Sequence, residues 1–424
     1  MTSLNVRGSA IAIAAVAAAL LAPTLTCAQD ARSVVEPTIP PVCSTLAPNS
    51  QASDTARLQA AIDTCGAGHA LRLSAGAYHA GPLTLRSGVT LLLDAGATLY
   101  ASTNPKDYDL GAGTCGTIGP ASKGCREFIN VSDTVGSGIM GDGVIDGQGG
   151  HAMDGQAESW WQLARRAQKE KASQNVPRLI QLRKSREFTL YRVTLRNSPN
   201  FHVAMSDVDG FTAWAVKIDT PSDARNTDGI DPGGSRNITI AHSFIRTGDD
   251  NIAIKAGGSN LTENVSILHN HFYSGHGMSI GSETSGGMRR VLVDDLTLDG
   301  TTAGLRIKSD AGRGGLVTGV RYQNVCMRGV KNAIELNTRY ERRTEGSSIP
   351  VFRDITFERV GSVTPSRVIM QGFDAAHPLQ VNLIDTRVPG ASATTIEFTQ
   401  QTGAIVDAVA SACEGRFPAF PVVQ

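Results

Sequence analysis

From residue 179 onward the chain is written in short alternating runs of apolar and polar residues, each bounded by turn formers. FTLYRV at 188, FTAWAV at 211, ITIAHS at 238, VSILHN at 265, VLVDDL at 291 and VRYQNV at 320 follow one another at steps of 23, 27, 27, 26 and 29 residues. A second series keeps time with the first. It is marked by Ile180, Val203, Ile230, Ile254, Ile280, Ile307 and Leu336, at steps of 23, 27, 24, 26, 27 and 29. Two interleaved strand series at one near-constant period predict an all-β solenoid whose coils each give one strand to each face. A β-propeller does not fit, because its blades repeat at about 40 residues or more. Parallel strands stack about 4.8 Å apart, so residues at equal offsets in successive coils become neighbours in space.

Two stretches carry helical spacing instead. Asp54 is placed to cap a short helix with Leu58, Ala61, Ile62 and Cys65 on one face, a lid for the solenoid. Trp160, Leu163, Ala164 and Ala167 share one side of a second helix, with Arg165, Arg166, Lys169 and Lys171 directed away from it. This reads as an insertion packed on a strand-rich body.

The chain begins differently. Arg7, the apolar run Ala10 to Ala22 and Thr26-Cys27-Ala28 form the three parts of a secretory signal peptide, with cleavage expected after Ala28. The run is shorter than the about 20 residues of a membrane span. A lipid anchor on Cys27 is the rival reading, and the bulk of Thr26 speaks against it. Residues 1–28 are thus expected to be a signal and 29–424 one domain, secreted and monomeric. Six cysteines then remain for an oxidising compartment, and proximity favours Cys43 with Cys65, Cys115 with Cys125 and Cys326 with Cys413 among the possible pairings. No Cys-x-x-Cys spacing suggests zinc. Lysine plus arginine and aspartate plus glutamate number 39 each, so no global charge recruits nucleic acid or membrane.

Polar residues collect on the second strand series. Asp228, the pair Asp249 and Asp250, His276, and the flanking cations Arg306 and Lys308 fall on four consecutive coils. Each is ordinary alone: an Asp pair beside Gly248 is most often a solvated turn, and Asn-Thr-Asp-Gly is common turn composition. Their joint placement changes the picture. Three carboxylates held together cannot all ionise freely, and a protonated carboxyl beside an ionised one is what glycoside hydrolysis needs. Neighbours on a regular strand face opposite ways, so Asp249 and Asp250 share a cleft only if the backbone turns, which Gly248 would permit. Arg306 and Lys308, on one face by alternation, offer two cations to a substrate carboxylate.

NTDGID at 226, GDDNIAIK at 248, SGHGMSIGS at 274 and LRIKS at 305 resemble, in letters, order and spacing, the four motifs of the polygalacturonases of glycoside hydrolase family 28. The likeness extends through SWWQLA, PRLIQL, SPNFHV and NTRYER, and is of the kind found in bacterial plant pathogens. It implies a right-handed parallel β-helix that hydrolyses α-1,4-linked galacturonan with inversion, without metal or other cofactor. By the same resemblance Asp249 is the general acid, Asp228 and Asp250 activate water, and His276 keeps the acid protonated. Asn226, Arg306 and Lys308 match substrate contacts, and Tyr340 matches a tyrosine on the leaving-group side. A two-carboxylate inverting site would hold its carboxyls about 6.5 to 9.5 Å apart. The expected partner is polygalacturonate or pectin, cut internally. Exo cleavage, rhamnogalacturonan hydrolysis, a calcium-dependent lyase and a non-catalytic pectin-binding protein are the competing readings.

Overall fold

The computed structural model describes residues 1–2, 32–49, 53–122, 124–342, 345–390 and 394–422. The expected signal peptide lies almost wholly outside these residues. The chain winds into a right-handed parallel β-helix. One face is an eleven-stranded sheet running from Leu83–Thr84 to Thr395–Glu397, and every neighbouring pair in it is parallel. Five of its strands concern the site: β1 (Ile230–Asp231), β2 (Ile252–Ile254), β3 (Met278–Ile280), β4 (Ala303–Lys308) and β5 (Asn332–Asn337).

The opposite face stacks Phe188, Phe211, Ile238, Val265, Val291 and Val320 in register, as the alternating runs predict, and continues to Ile355 and Val381. All eight side chains are buried. Inward residues of one coil therefore pack on their counterparts above and below, giving one continuous apolar column.

The structure departs from the expected register at one step. Ile230 pairs with Ile252, not Ile254, while Ile254 aligns with Ile280 and Ile307. Both isoleucines of β2 are buried, so a slip of two residues keeps the same face inward. Each coil also has a third segment. It follows a corner where Arg192, Ala215, His242, His269, Asp295, Asn324 and Arg359 stack with φ between 51° and 63°. Non-glycine residues rarely take this left-handed conformation, so a column of them marks a structural corner.

Helix α1 (Thr55–Thr64) closes the N-terminal end with Leu58 and Ile62 buried. Asp54 stands at its N-cap position without capping it through its side chain. Its carboxylate instead accepts from the Arg57 guanidinium and the His79 backbone N–H at 3.0 Å. Helix α2 (Trp160–Lys169) starts with a capping box between Ser159 and Gln162 and buries Trp160, Leu163, Ala164 and Ala167. All three expected disulfides are present.

Candidate active site

The segments flanking β1, β2, β3 and β5, together with β4 itself, line a cleft of about 420 Å³. Asp228, Asp249, Asp250, His276, Asn226, Arg306, Lys308 and Tyr340 all line it. Residues spread over more than a hundred positions of sequence thus meet because equal offsets stack. One oxygen each of Asp228, Asp249 and Asp250 lies within 4.8 Å of the others. That is closer than the spacing expected of a two-carboxylate inverting pair.

The Asp pair rides on a bend between coils. Gly248 serves it by close approach rather than by an unusual φ, since a Cβ there would lie 2.1 Å from the Ala224 carbonyl oxygen. Asn251, fully buried, ties the bend down: its Nδ2 donates to Ile245 O at 3.0 Å and its Oδ1 accepts from Gly277 N at 2.9 Å. The same link fixes the His276 turn of the next coil against the Asp turn. His276 N donates to Asp249 O at 2.9 Å.

Asp249 is the half-exposed member of the trio. Its Oδ1 accepts from Asp250 N at 2.9 Å, and its Oδ2 has only long contacts to Asn226 N and Nδ2, at 3.3 and 3.4 Å. His276 Nε2 faces its Oδ1 at 3.9 Å. Thr302 Oγ1 donates to Gly275 O at 3.2 Å and so has a lone pair for His276 Nδ1–H at 2.7 Å. This assigns the neutral imidazole the tautomer whose free Nε2 looks at Asp249.

Asp250 is the opposite case, a buried carboxylate with both oxygens engaged. Oδ1 accepts from Ser279 Oγ at 2.7 Å and from the Arg306 guanidinium, and Oδ2 accepts from Lys308 Nζ at 3.0 Å. Burial alone would raise its pKa, but the charges of Arg306 and Lys308 and the bonds from Ser279 and Lys308 hold it well below the usual carboxylate range.

Asp228 and Asp231 share a single cation. Lys255 Nζ lies 2.7 Å from Asp231 Oδ2 and 3.4 Å from Asp228 Oδ2. Burial, then the neighbouring Asp231 carboxylate, raise Asp228 well above its ordinary value against the pull of Lys255. Burial likewise lifts Asp231 to about 6 despite Lys255. His202, buried and drawn down to about 4 by desolvation, holds the backbone here through Nδ1 to Asp228 O at 3.0 Å.

Lys255, Asp231, Asn251, Ser279, Thr302 and His202 were not singled out from the sequence. Lys255, Asp231 and Asn251 stand inside the quoted motifs, where polar residues interrupt an otherwise apolar strand. Ser279 stands inside SGHGMSIGS and His202 inside SPNFHV, whereas Thr302 lies outside the quoted segments. Tyr340, with its ring 5.4 Å from Lys308 Nζ, stands at the far wall.

A parallel β-helix with a cleft of clustered, unequally charged carboxyl groups has the layout of an acid–base glycoside hydrolase. Residues 65–411 match the description of glycosyl hydrolases family 28, and the chain belongs to that family. It is 51% identical over 369 residues to an endo-polygalacturonase of Pectobacterium carotovorum subsp. carotovorum, covering 86% of this chain and 91% of that protein. A polygalacturonase of Ralstonia nicotianae is 42% identical, over 78% of this chain and 74% of its own. The solved polygalacturonase of Erwinia carotovora ssp. carotovora superposes with a TM-score of 0.86 at 50% identity, covering 88% of this chain and 100% of that one.

Proposed function

We propose that this protein is a secreted endo-polygalacturonase that hydrolyses internal α-1,4-galacturonosidic bonds of polygalacturonate with inversion. The observation that carries the reading is the division of labour among three adjoining carboxyls. Asp249, half-exposed and loosely held, is the one free to give a proton to the leaving glycosidic oxygen, and His276 Nε2 is placed to share that proton. Asp250 is locked as an anion and orients the attacking water. Asp228, whose environment raises its proton affinity, takes the proton that water releases as it attacks the anomeric carbon. Asn226, Tyr340 and the donors left over on Arg306 and Lys308 contact the sugars on either side.

Retention would need one carboxylate to attack carbon directly. Asp250 has both oxygens engaged and Asp228 is buried beside Lys255, so neither is free to do so. The close spacing instead suits a water held between two carboxylates, which favours inversion over the reading that spacing alone would give. The endo-acting relatives support internal cleavage. Viscosity of polygalacturonate falling well ahead of reducing-end release is the expected result; parallel progress of the two would indicate exo action. A product absorbing in the ultraviolet, or activity lost in chelator, would point to a lyase instead.

A further inference from the structure

The cations nearest the chemistry are each engaged from within: Arg306 and Lys308 share the one carboxylate of Asp250, and Lys255 bridges Asp228 and Asp231. A polyanionic substrate that spans several coils also gains from positive charge held free of carboxylates farther along its path. Arg178 meets this description. Among the described residues it has no carboxylate within ion-pair distance; Asp231, Glu127 and Asp228 act on it only through space, and burial lowers its pKa.

Its guanidinium is fixed without being neutralised. One Nη donates to Gln181 Oε1, and that buried amide is itself held by Nε2 donating to Leu182 O at 3.0 Å and Ala204 O at 3.1 Å. The guanidinium lies over the Phe201 ring at 5.2 Å, while Lys255 Nζ sits 4.3 Å from the same ring. Phe201 borders the catalytic cleft and both cavities that Arg178 lines, of about 520 and 430 Å³. Arg178 precedes the strand Ile180–Arg183, which lies two coils before β1. Two strand spacings place it about 10 Å along the axis from the Asp228 coil.

We infer that Arg178 is a specificity-determining residue that pairs with the free carboxylate of a uronate unit bound on the N-terminal-coil side of the cleaved bond, and so discriminates against methyl-esterified units. The inference rests on the function proposed above, but its chemistry is a binding preference and is read without turnover. A preorganised planar fork matches a carboxylate bidentately, and a methyl ester offers it neither charge nor the second strong acceptor.

The test is calorimetric binding of a tetragalacturonate, as free acid and as methyl ester, to the full chain carrying Asp249→Asn. The free acid is expected to bind at least tenfold tighter than the ester. Adding Arg178→Gln should reduce that preference about tenfold, and Arg178→Lys should restore part of it. A preference unchanged by Arg178→Gln overturns the inference, including the case where both ligands weaken alike because Arg178 merely supports Phe201. Equal binding of acid and ester by the parent overturns it too. Whether the wild type releases reducing ends is scored separately, so a failed functional reading is not confused with a failed assignment of Arg178.

Discussion

Arg306 reaches across the whole of strand β3 to the carboxylate of Asp250, two coils away, and Ser279 on that intervening strand donates to the same carboxylate oxygen and accepts from Arg306 Nε at 3.0 Å. Both charged partners are nearly excluded from water, with side chains 10% and 2% exposed. Removing one member of such a pair strands the other. Arg306→Met should lower unfolding free energy by about 3 kcal/mol or more in denaturant melts, alongside the loss of activity. A stability within about 0.5 kcal/mol of wild type would show that Lys308 alone satisfies Asp250.

Asp249 is bonded lightly, so its replacement should cost chemistry and not fold. Asp249→Asn is expected to reduce the rate of reducing-end release by about 10²- to 10⁴-fold, the contribution of a positioned acid, with an unchanged melting temperature. A folded variant of normal activity would remove Asp249 from the role of acid.

The pH dependence of stability can be assigned a sign. Asp231 has a pKa of about 6 in the fold against 3.8 as its ordinary value, so the native state binds more protons in that window and loses stability as pH rises through it. His202 works the other way, losing stability as pH falls from 6.5 towards about 4. Asp228, also raised, adds to the loss with rising pH, so the wild-type profile sums opposed contributions and the variant is diagnostic. Asp231→Asn should gain on wild type by about 2 to 3 kcal/mol between pH 4 and pH 6. A gap that does not open with pH would refute the raised value.

Gly275 tests positioning. It has a φ of +70°, and a Cβ on it would stand 2.4 Å from Asp249 O and 2.5 Å from Thr247 Oγ1. Gly275→Ala should destabilise by about 1 kcal/mol or more and displace the Asp249 bend, lowering activity by about tenfold or more. An alanine variant with full turnover would mean the bend tolerates the shift.

Product stereochemistry decides between the two uses of close carboxylates. Proton resonance of the first-formed reducing end should show the β anomer before mutarotation. An initial α anomer would require a covalent intermediate and a different role for Asp250.

Much of this was legible in the chain. The ladder from Phe188 to Val320 follows the alternating runs at every step, because a buried parallel strand leaves an apolar mark at period two. The step at Ile254 was misread for the same reason: Ile252 and Ile254 both point inward, and hydrogen-bond register alone chooses between them. The third segment of each coil was missed because residues such as Arg192 and His242 turn the corner without the glycine or proline that announces a turn. Motif spacing brought six of the candidate residues to one cleft, to which the family resemblance added Asn226 and Tyr340. It could not tell that Arg306 and Lys308 give their charge to Asp250, since strand offsets locate side chains without saying which carboxylate each will meet.

The rungs of the active ladder are unequal in length. From Ile230 to its partner Ile252 the chain uses 22 residues, the next turn to Met278 uses 26, and the turn from Leu305 to Ile334 uses 29. The shortest excursion joins Asp228 to Asp249 and Asp250. The protein can therefore lengthen its outer loops to reshape the walls for a new polymer, while the circuit that sets carboxyl against carboxyl has no slack to lend.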